Sequence, residues 1–154
     1  MSEVYFYHLT RRSVVETLSQ LLPRCLSQGW RVAVRGGDPE RLRWLDEKLW
    51  LGPAEGFLPH GLAGGEHDAL QPILLTSGAA GNNPQCVMSV DGAEIEAAEV
   101  SGLARACILF DGTDGEALSR ARNQWSALTG AGVPARYWSE ESGKWEEKAS
   151  KNTG

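Results

Sequence analysis

Val4-Tyr-Phe-Tyr-His-Leu9, Ser13-Val-Val-Glu16 and Trp30-Arg-Val-Ala-Val34 stand in that order at the start of the chain, and their reading decides the fold. The first stretch is aromatic and β-branched, the composition of a strand. Ser13 and Glu16 have the spacing of a capping box, in which each side chain satisfies a free backbone N–H at a helix start. Val14, Leu18, Leu21, Leu22 and Cys25 follow at helical intervals, and Gly29 is placed to end that helix. Pro23 lacks an amide hydrogen, which predicts a kink or a break inside it. Trp30 to Val34 alternates through Arg31 and predicts a second strand.

The same alternation continues. Asp38-Pro39-Glu40 opens a helix with a side-chain cap, a proline in the first turn and an acid at the positive end of the dipole. Leu42, Leu45 and Leu49 mark its buried face, and Gly52-Pro53 ends it. Residues 51 to 70 carry no periodicity. Pro72 to Thr76, Gln85 to Val90 and Ala104 to Phe110 read as strands, with a turn-rich break from Ser77 to Pro84. Thr113-Asp-Gly-Glu116 is a second capping box, opening a helix whose apolar face is Leu118, Ala121, Trp125 and Leu128. Gly130 and Gly132 stop it, Val133 to Trp138 is a last strand, and the polar end from Glu146 to Gly154 is expected to fray. Strands alternating with helices predict a single α/β domain with a largely parallel sheet.

Composition narrows the function. The 154 residues suffice for one core. A formal net charge of −5 argues against non-specific nucleic-acid binding, which requires clustered cations. No apolar run approaches the roughly 20 residues of a membrane span. The N-terminus lacks a basic region followed by an apolar core, so no signal peptide is read. Cys25, Cys86 and Cys107 are odd in number and widely spaced. They suggest neither a disulfide framework nor a zinc site, and fit a reducing cytoplasm.

Motifs for chemistry are sparse. The first strand runs into His8-Leu-Thr-Arg-Arg rather than a glycine-rich dinucleotide turn, and no P-loop occurs. Gly36-Gly37-Asp38, between a strand and a helix start, has the position of an anion site and equally that of a tight turn. His60 is a candidate general base. His60 and His67 with Glu66 and Asp68 match no common metal spacing. Asp111 and Asp114 follow a strand end, where turn and capping duties compete with catalysis. Leu118 and Arg122 share a helical face, an apolar contact beside a cation. A small α/β enzyme or nucleotide-binding protein using Gly36-Gly37 or His60 is therefore one reading.

Another comes from order. Phe6-Tyr7-His8-Leu9, Gly29-Trp-Arg-Val32, Leu45-Asp46 with Leu49-Trp50, Phe57-Leu-Pro-His60, Gln71-Pro-Ile-Leu-Leu-Thr76, Phe110-Asp-Gly112, Ala121-Arg122 and Tyr137-Trp138 succeed one another. Together they resemble the chi subunit family of bacterial DNA polymerase III holoenzyme, across residues 4 to 148. The resemblance implies a three-layer, Rossmann-like open sheet with helices on both faces, a domain of residues 1–148 and a frayed tail of 149–154. It implies a cytoplasmic, non-catalytic accessory of the clamp-loader assembly, without cofactor, metal, membrane or direct DNA contact. Such proteins grip the acidic C-terminal tail of single-stranded DNA-binding protein and dock a psi subunit or a substitute for it. By position, Arg122 receives the tail's carboxylate, and Phe110 and Leu118 supply the pocket. Trp50, Phe57, Leu58, Pro59 and His60 face the psi-type partner, with Phe57 as the anchor. Ser126, one turn after Arg122, departs from the pattern because it is not basic. Asp111 and Asp114 also place negative charge near the tail site. Tail binding is therefore expected to be weaker than in the family, or to draw on Arg120 or Arg105.

Overall fold

β1 (Glu3–Leu9) lies inside the sheet, flanked by strands from the far end of the chain. The computed structural model describes residues 2–50, 60–64, 68–78 and 81–153, apart from the side chain of Trp50. Its other elements are α1 (Val14–Ser27), β2 (Val32–Gly36), α2 (Pro39–Trp50), β3 (His60–Leu62), β4 (Ile73–Thr76), β5 (Cys86–Val90), α3 (Ala97–Val100), β6 (Arg105–Asp111), α4 (Gly115–Gly130), β7 (Ala135–Ser139) and β8 (Glu146–Lys151). The described strands form one sheet in the order β3-β4-β2-β5-β6-β1-β7-β8. Every pairing is parallel except that of β7 with β8.

Alternation along the central strands builds two cores. Tyr7, Leu9, Val34, Met88 and Leu109 meet Leu18, Leu22, Leu42 and Leu45 of α1 and α2. Val4, Phe6, Val87, Ile108 and Phe110 point the other way, to Val100 of α3 and to Ala121 and Leu128 of α4. This is the three-layer, Rossmann-like open sheet that the sequence predicted.

Local chemistry explains the α1 boundaries. Glu16 N donates to Ser13 Oγ at 3.1 Å, and Ser13 N donates back to Glu16 Oε1 at 3.3 Å. Gly29 adopts a φ of +80°, open to glycine without penalty. Gly29 N then donates to Leu26 O and Trp30 N to Cys25 O, the two bonds of a Schellman turn. Of the kink or break expected at Pro23, the break is corrected: α1 is one helix through it, with the proline on the exposed side.

Two other expectations are corrected. The cap of α4 is Asp114, whose side chain accepts from Glu116 N at 3.0 Å, while Thr113 turns back to Asp111. The polar end does not fray from Glu146. It forms β8, and Asn152 donates to the carbonyls of Thr129 and Val133 at 3.0 Å each. β8 has no apolar face because it is an edge strand, held by backbone bonding and by pairs such as Arg136 with Glu147 at 2.7 Å.

Glu140 fastens the β1–α1 turn to the end of β7. Its carboxylate is fully buried. Oε1 accepts from the backbone N–H groups of Thr10, Arg11 and Arg12 at 3.0, 2.7 and 2.7 Å, and Oε2 pairs with Arg12 at 3.1 Å. Burial alone would raise its pKa. The three amides and the guanidinium outweigh that and hold it below the ordinary 4.5. A depressed folded pKa gives stability that is present at neutral pH and lost as pH falls from about 4.5 through the folded value. Glu140→Gln is expected to cost about 2 kcal/mol at pH 7, the loss of a charge-assisted network. In thermal melts the gap to wild type should narrow as the wild-type carboxylate protonates below pH 4.5. A variant melting like wild type at pH 7 would contradict this role.

Candidate functional site

Beneath α4, the side chains of β1, β6 and β7 assemble an aromatic cluster. Phe6 meets Trp125 edge-on at 5.3 Å between ring centroids, and Trp125 meets Tyr137 edge-on at 6.0 Å. Phe110 lies 6.0 Å from Tyr137 and 5.2 Å from His8. Tyr137 Oη and His8 Nδ1 are hydrogen-bonded at 2.7 Å. Phe6 and Phe110 are buried, whereas His8, Trp125, Tyr137 and Leu118 are half-exposed, so the cluster reaches the surface.

Arg122 stands on this surface. It is exposed and has no hydrogen bond or ion pair among the described residues. Burial pushes the Tyr137 phenol above its ordinary pKa, and the Arg122 cation acts against that shift. Arg122 shares a helix face with Leu118 and Trp125, four and three residues away. It thus offers an unneutralised planar fork on the face that carries these apolar side chains, suited to a carboxylate carried by an apolar group.

Of the residues predicted for this site, Arg122, Leu118 and Phe110 share the α4 face of the sheet. Arg120 does not join them. Residues two apart on a helix differ by about 200°. Arg120 instead pairs with Glu116 at 3.6 Å and packs on Gly92. Arg105 is also remote, since it belongs to the opposite face with Tyr5 and Trp30. His8, Trp125 and Tyr137 were not assigned to the site from sequence. Their signal was the aromatic alternation of β1, but their meeting depends on the β1–β7 register, which pairs Phe6 with Tyr137 and His8 with Ser139.

Gly112 explains itself here. A Cβ at that position would lie 1.8 Å from His8 Cδ2. The glycine leaves room for the imidazole that bonds Tyr137, while Gly112 N donates to Leu9 O at 2.7 Å.

The residues proposed for a psi-type partner are placed only in part. Phe57, Leu58 and Pro59 lie outside the described residues, as does the side chain of Trp50. His60 is buried in β3, and its Nε2 lies 3.2 Å from both the carbonyl oxygen and Oδ1 of Asp46. It therefore fastens β3 to α2.

A second concavity, of about 740 Å³, opens at the carboxyl ends of β1 and β6, bordered by Arg11, Asp38, Arg41 and Arg120. These neighbouring strands lead to helices on opposite faces, the place where open α/β sheets form crevices. The helix starts around it are capped from within, by Ser13, Asp38 and Asp114. A Cβ on Gly36 would meet Leu42 at 2.8 Å and one on Gly37 the Asp91 carbonyl at 2.9 Å, so close packing accounts for both glycines. Asp111 accepts from Thr113 N and Oγ1, whose bonds hold its pKa below the ordinary range. Both aspartates act in turn and cap. His67 and Glu66 lie outside the described residues.

Fold and site together define a Rossmann-like α/β protein with a half-exposed aromatic cluster beside an arginine that has no ion pair among the described residues. The chain belongs to the DNA polymerase III chi subunit family (HolC), whose model it matches over residues 1–136. It is similar to DNA polymerase III subunit chi of Escherichia coli (strain K12), at 38% identity over 71 residues, covering 42% of this chain. The match spans 48% of that protein, about half its length.

Gly112→Ala is expected to destabilise the fold by about 1–3 kcal/mol through overpacking against His8. In a His8→Ala background the penalty should largely disappear, a coupling that a double-mutant cycle by thermal or urea unfolding would detect. Equal penalties in both backgrounds would show that His8 is not what the glycine accommodates.

Proposed function

We propose that this chain is a non-catalytic accessory subunit of the polymerase III clamp-loader assembly, working in the cytoplasm. It links that assembly to single-stranded DNA-binding protein by holding the acidic C-terminal tail of that protein. The observation that carries this reading is Arg122, exposed and unneutralised, on the helix face that carries half-exposed Leu118 and Trp125, with Trp125 packed on the half-exposed ring of Tyr137. An apolar tail end rests against the rings while its carboxylate takes the guanidinium in two places. The segment from Trp50 to Pro59 is the proposed surface for a psi-type subunit, with Phe57 as its anchor; buried His60 is left out of it, because its side chain is spent on Asp46. The reading as a small enzyme or nucleotide binder is favoured by no observation, because Gly36, Gly37 and His60 all have packing duties.

Calorimetry with a peptide ending in an acidic run followed by Pro-Phe tests the tail site. Binding is expected at low salt and should weaken as salt screens the exposed pair. Arg122→Ala should weaken it on the order of tenfold, as for a hydrogen-bonded charge, with little change in melting temperature. Absence of heat at high micromolar peptide would end this half of the reading.

Phe57→Ala should spare the peptide and impair co-elution with a psi-type subunit in size-exclusion chromatography. Undiminished co-elution would remove Phe57 from that interface.

A further inference from the structure

Arg105 begins β6 on the α1 side of the sheet, and its surroundings are unusual for a partly buried cation. Its guanidinium carbon sits 4.3 Å from the Tyr5 ring centroid and 5.2 Å from that of Trp30. No hydrogen bond or ion pair to it exists among the described residues. Parallel pairing sets Glu3 directly opposite Arg105. Yet Glu3 is committed elsewhere: it lies 3.6 Å from Arg136, which also pairs with Glu147 at 2.7 Å. The neighbouring acids are thus satisfied by Arg136, and the charge of Arg105 is left over. Arg31, one residue after Trp30, offers a contrast, since its guanidinium donates to the carbonyls of Ala69 and Asn82.

Both jaws of the clamp are fixed. The Schellman turn that ends α1 sets Trp30. Tyr5 is held in β1 and continues into Trp138 at 6.2 Å and Tyr7 at 6.3 Å. An arginine between two rings has already lost its rotamer freedom, so its N–H edge receives a carboxylate with little further ordering cost. Half-exposed Trp30, Tyr5 and Trp138 supply apolar area around it. Arginine, tryptophan and tyrosine are the residue types that concentrate interface energy.

We infer that Arg105, clamped between Tyr5 and Trp30, is a second docking point, on the opposite face of the sheet from Arg122, for an acidic segment of a protein partner. The occupant follows from charge complementarity. One unneutralised guanidinium takes one carboxylate. A nucleic-acid strand would carry further phosphates towards Glu3 and Glu147, the acids joined by Arg136, whereas a peptide places its acid once.

The test uses the whole protein, labelled with ¹⁵N, and as probe an N-acetylated, C-amidated peptide with a single glutamate flanked by leucines. At low salt the peptide should shift the Arg105 Nε–H and Trp30 indole resonances saturably, and these shifts should persist in Arg122→Ala. Arg105→Gln should lower the affinity at this face on the order of tenfold. Arg105→Lys, which keeps the charge without the fork, should recover only part of it. Wild-type spectra in which these two resonances do not move overturn the proposal without recourse to any variant. So does a response confined to residues around Arg122. A stronger response of the same resonances to an oligothymidylate overturns it in favour of nucleic acid.

Discussion

Burial of β1 on both of its faces is the constraint on which the rest depends. A strand set between β6 and β7 must send alternate side chains into opposite layers. Tyr5, Tyr7 and Leu9 go towards α1, while Val4, Phe6 and His8 go towards α4. A slip of one residue would exchange the two sets. It would leave Arg105 without Tyr5 and deprive Tyr137 of His8. The two proposed docking surfaces therefore cannot be built independently, because one strand supplies rings to both.

Charge accounting on this acidic chain shows why those surfaces stand out. Most described arginines are consumed by acids or carbonyls. Arg35 is held by both carboxylate oxygens of Glu99 at 2.6 Å, Arg12 by Glu140, and Arg136 by Glu3 and Glu147. Arg24 and Arg43 lack such partners but stand on exposed helix surface, where a solvated cation is ordinary. Arg105 differs because it lies over two aromatic rings, and Arg122 because it shares a helix face with Leu118 and Trp125. A net charge of −5 argued against non-specific nucleic-acid binding, yet left room for local cations.

What the sequence revealed and what it hid follow from the range of each interaction. The caps of α1 are local, so Ser13, Glu16 and Gly29 were readable, and the apolar runs of β4 and β6 announced buried strands. β8 was invisible because an edge strand of Glu, Lys and Ser is stabilised by backbone pairing, which composition does not record. β3 is three residues long within an aperiodic stretch. At the site, Arg122 and Leu118 were legible from helical spacing. The His8–Tyr137 bond joins residues 129 apart and needed the sheet register. Phe110-Asp-Gly112 read as a turn, though the glycine is required by an imidazole from another strand.

The acids near Arg122 bear on what the proposed tail site would select. Thr113 keeps Asp111 ionised, and Asp114 is turned to the α4 amides, so negative charge persists at the helix start, two turns before Arg122. An acidic run laid along α4 towards that start would meet repulsion, whereas one leading away from it would not. Without a second cation at Ser126, attraction is confined to one fork. Such a surface reads the position and direction of a carboxylate more than the total charge of the peptide that bears it. Salt would then weaken the attraction and the repulsion together, leaving a shallower dependence than a cluster of cations would give.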